Sequence, residues 1–67
     1  MNDEKPTWKN TIHNDARNFG HISELSEIAY RLGYPYILWN NRVYKVHADN
    51  LGYAWEHDTG LTIEDIK

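Results

Sequence analysis

The sequence predicts an α+β domain: two N-terminal helices packed on a two- or three-stranded antiparallel β-meander, closed by a short C-terminal helical turn. Three observations predict it. Apolar residues recur at helical spacing from Ile22 to Leu32. The period switches after Gly33 to runs rich in aromatic and β-branched residues. An Asn-Asn pair separates two such runs at hairpin spacing.

The first helix is predicted over Thr7 to Phe19. Trp8, Ile12, Ala16 and Phe19 fall on one arc at helical spacing, with Asn10, Asn14 and Asn18 opposite. Asparagine and threonine are poor helix formers, so a strand over Trp8–Ile12 followed by a loop is the competing reading. Residues 1 to 6 are polar and are expected to fray. Gly20 stops this segment.

In the second helix Ile22, Leu25, Ile28, Ala29 and Leu32 make the apolar face. Ser23, Glu24, Ser26, Glu27 and Arg31 fall on the solvent side, and Ser23 suits the N-cap. Gly33 fits the left-handed residue that closes a helix, and Pro35 forbids continuation.

Tyr36–Trp39 and Arg42–Val46 then pair about a primed turn at Asn40-Asn41, since asparagine tolerates positive φ. That register sets Trp39 opposite Arg42, Leu38 opposite Val43, Ile37 opposite Tyr44 and Tyr36 opposite Lys45. One face carries Ile37, Trp39, Tyr44 and Val46 and should cover the helix. The other carries Tyr36, Leu38, Val43 and Lys45 and needs a partner of its own. Tyr53–Glu56 is a candidate third strand, Asp58-Thr59-Gly60 a turn, and Thr62 the cap of a final helical turn stapled by Leu61 and Ile66. The expected core is Ile12, Phe19, Leu25, Ile28, Leu32, Ile37 and Tyr44.

Sixty-seven residues make one domain, residues 1–67, at the small end of what folds alone. With no cysteine, no disulfide staples it. Three Trp and five Tyr must carry much of the core or form a binding surface. The net charge of −3 and the absence of a basic block disfavour general nucleic-acid affinity. No apolar run reaches membrane-spanning length and no signal peptide opens the chain, so the expected location is the cytoplasm.

Catalysis is not expected. The four histidines lack the close ligand pairs of a metal site, and no phosphate loop or nucleophile motif is present, so neither metal nor cofactor is assigned. The pairs His57-Asp58 and His47/Asp49 lie in turn-rich stretches, where such residues are solvated or cap the backbone. The expected function is that of a small acidic protein-binding module: an inhibitor, adaptor or regulator occupying the surface of a larger protein. Its composition resembles that of small accessory proteins of phages and bacteria. A homodimer would bury the same surface. The expected binding surface is the hairpin, centred on Trp39 and Arg42, with Tyr36, Tyr53 and Trp55 as neighbours. Arg42 could stack on the Trp39 indole, which would equally well just brace the turn. The alternative function is a small winged helix-turn-helix DNA-binding protein, with helix, glycine turn, helix and hairpin wing in order. Glu24 and Glu27 on its recognition helix speak against it.

Overall fold

The computed structural model describes residues 5–13 and 20–67. Among these residues are one helix and a four-stranded mixed sheet, in the order β1 (Thr11–His13), α1 (Ile22–Leu32), β2 (Tyr36–Trp39), β3 (Arg42–Ala48), β4 (Ala54–Thr62), then a 3₁₀ turn at Ile63–Asp65. The strands lie in the order β1-β2-β3-β4. This corrects the expectation of two N-terminal helices on an antiparallel meander. Strand β1 precedes helix α1 and pairs parallel to β2 through Thr11↔Tyr36, Ile12↔Ile37 and His13↔Leu38.

Side chains that compete for backbone groups explain the lost helix. Thr7 N–H donates to Asn10 Oδ1 at 2.7 Å, Asn10 N–H to Thr7 Oγ1 at 3.2 Å, and Thr11 Oγ1 to the Thr7 carbonyl at 2.6 Å. This reciprocal bonding makes a turn at the point where a helix would have to propagate. The β-branched Thr11 and Ile12 then leave it as a strand. The part of the expected helix over residues 14–19, including the core position Phe19, lies outside the described residues.

Helix α1 begins at Ile22, one residue before the expected cap. His21 is the N-cap, without a side-chain cap bond, and Ser23 sits within the first turn. The C-terminus follows expectation. Gly33 is left-handed at φ 87°, its N–H donates to the Tyr30 carbonyl at 3.2 Å, and Tyr34 N–H donates to Ala29 at 2.8 Å. Those two bonds make a Schellman motif, which leaves Cβ-bearing residues at a disadvantage at Gly33.

The hairpin register is as the sequence predicts: Tyr36↔Lys45, Ile37↔Tyr44, Leu38↔Val43 and Trp39↔Arg42. Asn40 and Asn41 have φ of 51° and 66°, the left-handed pair of a type I′ turn. Strand β4 extends the antiparallel sheet and runs well past the expected Tyr53–Glu56. Asp58-Thr59-Gly60 lies within it as a bulge: Tyr44 pairs with Asp58 and Arg42 with Thr62, so residues 59–61 face the single Val43. Thr59 Oγ1 donates to the Val43 carbonyl at 2.7 Å, which secures the bulged segment.

The sheet has a core on each face. On the helix side Leu25, Ala29 and Ile37 are buried, with Ile12, Tyr34, Trp39, Tyr44 and Val46 packed around them. On the other side Tyr36, Leu38, Val43 and Ile66 are buried, with Leu61 and Ile63 against them. The C-terminal turn thus covers the second hairpin face. Asp65 accepts from the Thr62 N–H at 2.8 Å and braces that turn. Leu25 and Ile37 are core as expected, whereas Ile12, Ile28 and Tyr44 are half-buried and Leu32 is 63% exposed. Leu32 stands in the last turn, where the helix has run past the sheet that could cover it.

Candidate functional site

The strand directions define two ends of the molecule. At one lie the Asn40-Asn41 tip and the C-terminal turn, joined by Ile63 N–H donating to the Asn41 carbonyl at 3.0 Å. At the other lie Pro35, the end of α1, the end of β3 and the start of β4. The five residues expected to form one surface divide between them.

Trp39 and Arg42 are cross-strand partners at the tip end. Trp39 packs against the helix-side core, half-buried. Arg42 turns to Asp58: its Nε donates to Oδ2 at 3.0 Å and a terminal nitrogen to Oδ1 at 3.4 Å. The Asp58 carboxylate also accepts the Gly60 N–H at 2.9 Å. That backbone bond, followed by the Arg42 bond, holds the Asp58 carboxyl below its ordinary range, and Asp58 raises the Arg42 guanidinium in return. The cation–π contact on the hairpin falls between Lys45 and the Tyr36 ring, at 5.1 Å, and Tyr36 is buried.

Tyr53 and Trp55 lie at the Pro35 end. So do Tyr30, Leu32 and Leu51, which the expectation missed. These five are the large apolar side chains most open to solvent there, from 47% for Tyr30 and Trp55 to 80% for Leu51. Trp8, also exposed, sits apart with its ring 4.0 Å from that of His13. An open groove of about 400 Å³ runs between Tyr30, Gly33, Tyr34 and Pro35 on one side and Val46, His47 and Ala48 on the other.

The loop that carries Leu51 and Tyr53 is braced. Asp49 Oδ1 accepts both the Leu51 N–H at 2.9 Å and the Tyr53 N–H at 3.0 Å, while Asp49 N–H donates to the Tyr53 carbonyl at 3.0 Å. Gly52 supplies the left-handed φ of 91° that this tight path needs. One signal of this site was legible: Leu51 is an apolar side chain inside a turn-rich Asp-Asn-Leu-Gly segment, where burial is hard to achieve. Tyr30 and Leu32 could not be told from core by helical spacing alone.

The face of the sheet away from the helix carries a second group. His47 stacks on Trp55 with ring centroids 5.7 Å apart and planes 17° apart, and His57 meets His47 edge-on at 5.8 Å. Among the described residues no three histidine, cysteine or acidic side chains stand close enough to hold a metal ion, and no helix is long and apolar enough to cross a membrane. Comparison with known protein families, with curated proteins and with solved structures finds no match to this chain.

Proposed function

We propose that this chain is a protein-binding module that inhibits, recruits or regulates a larger protein by occupying its surface. Its docking end is the Pro35 end, with Leu51 and Tyr53 as anchors and Tyr30, Leu32 and Trp55 around them. The observation that carries the reading is the display of Leu51 and Tyr53 on a loop stiffened by Asp49. Exposed apolar side chains gathered at one end mark interaction sites more often than scattered ones do. A loop held in one conformation before binding loses less entropy when it docks. The hairpin tip is a weaker candidate, because Trp39 is half-covered by the helix and Arg42 is engaged by Asp58. Binding, not catalysis, is the proposed activity. The proposed compartment is the cytoplasm, where a chain without cysteine gives up no disulfide.

The winged helix-turn-helix reading loses its first helix at residues 11–13, which form strand β1. The test of the protein-binding reading is comparative capture from a lysate of the native host. Parent protein should retain a discrete partner that Leu51→Ala/Tyr53→Ala does not. Identical retention by parent and by a folded double variant would sink the reading. Concentration-dependent dimerisation abolished by the same substitutions would replace the larger partner with a second copy.

A further inference from the structure

Charge is sorted between the two faces of the sheet. Glu56 accepts from Ser26 on α1, Glu27 lies on α1 at 3.4 Å from the Ala54 nitrogen, and Asp58 holds Arg42, all on the helix side. The opposite face has the reverse character at the Pro35 end. Lys45 and His57 are directly opposed across β3 and β4, and the next row on that face is His47 opposite Trp55. Among the described residues no carboxylate lies within ion-pair distance of Lys45, His47 or His57. The formal charge of −3 therefore conceals a patch, at the Pro35 end of this face, where a lysine and two imidazoles lie together.

Two features of this face match one ligand chemistry. Lys45 and His57 are register partners, the Lys45 ammonium resting over the Tyr36 ring at 5.1 Å, and neither has an ion-pair partner among the described residues; like charges on paired residues repel across strands, which a bound anion relieves. Beside them the Trp55 indole, backed by the stacked His47 ring, leaves a flat aromatic surface about half open to solvent. Alternate residues of a strand stand about 7 Å apart on one face, so the Lys45–His57 row and the His47–Trp55 row are spaced as a phosphate and the base attached to it. We propose that this face binds a phosphate-bearing nucleobase, with the base stacked on Trp55 against His47 and the phosphate held between Lys45 and His57. Stacking on an aromatic side chain tolerates any base, so the site selects the chemical class and not a sequence. It shares Trp55 with the proposed docking end but does not use the loop anchors Leu51 and Tyr53.

The test follows amide and indole signals of isotope-labelled protein titrated separately with adenosine monophosphate, a short oligouridylate and inorganic phosphate. Both nucleotide probes should move the signals of Lys45, His47, Trp55 and His57 and leave those of Leu51 and Tyr53 in place. Trp55→Ala should weaken both by about tenfold, while Trp55→Phe should retain most of the affinity. Lys45→Glu should also weaken both. Tighter binding of the oligouridylate identifies a nucleic-acid strand as the source of the ligand; equal or tighter binding of the mononucleotide identifies a free nucleotide. Inorganic phosphate binding as tightly as either nucleotide, shifts centred elsewhere, or a folded Trp55→Ala variant that binds like the parent would each overturn the proposal.

Discussion

Ser26 donates to Glu56 Oε1 at 2.8 Å, joining the middle of the helix to the edge strand. Its hydroxyl is fully buried and also lies 3.1 Å from the Ile22 carbonyl. Helical spacing places Ser26 on the solvent side, yet α1 leans over β4 so that this residue faces the sheet. Ser26→Ala should destabilise the fold by about 1–2 kcal/mol, because the half-buried Glu56 carboxylate loses a donor. Denaturant unfolding checks it, and Ser26→Ala in a Glu56→Gln background should cost less than in the parent.

Acid should weaken the bulge of β4. The folded-state pKa of Asp58 is lowered, first by the Gly60 N–H and then by Arg42. A group with a depressed folded pKa stabilises the fold above its unfolded value, near 3.8, and loses that contribution as pH falls through the folded value. Thermal melting from neutral pH down to pH ~2 should therefore show a steeper decline below pH ~4 in the parent than in Asp58→Asn. Equal slopes would show that the Arg42–Asp58 pair is idle.

Helix-face substitutions should separate by position. Leu25 is 1% exposed and packs on Ile37, so Leu25→Ala should cost about 2–5 kcal/mol, enough to unfold so small a domain. Leu32→Ala should change stability by no more than about 0.5 kcal/mol, since the side chain is largely exposed. Melting both variants distinguishes a core position from a surface position on the same apparent stripe.

Asp49→Ala tests the braced loop. Three backbone hydrogen bonds position Leu51 and Tyr53 around Asp49, two of them to its carboxylate. Its loss should leave global stability nearly unchanged while speeding amide exchange at Leu51 and Tyr53. Partner affinity should fall at the same time, because the anchors would have to be ordered on binding.

The hairpin turn offers a gain. Asn41 pays for a φ of 66° that glycine adopts freely, so Asn41→Gly should raise stability by about 0.5 kcal/mol. Asn41→Val should lower it by more than that, since a β-branched side chain is strained at positive φ. Urea midpoints of the two variants report the sign directly.

Local chemistry determined much of this molecule by sequence alone. The span of α1, its arrest at Gly33, the register of the Asn40-Asn41 hairpin, the partition of its side chains between two faces and the Thr62–Asp65 brace all depend on neighbours a few residues apart. Each is written in period, turn chemistry or a capping pair. Strand β1 is different: three residues gain partners more than twenty positions away, and nothing in their local period announces a parallel pairing. The arc of Trp8, Ile12, Ala16 and Phe19 pointed to a helix, but Thr7 and Asn10 had already turned the chain. Tertiary structure also decided which exposed residues share an end or a face. Leu51, Tyr53, Tyr30 and Leu32 come from two separate segments, and Lys45, His47, Trp55 and His57 become neighbours only when β4 pairs with β3. A one-dimensional pattern records which way a side chain points within its own element. What lies opposite it is fixed by the packing of elements, and both candidate surfaces of this protein are of that second kind.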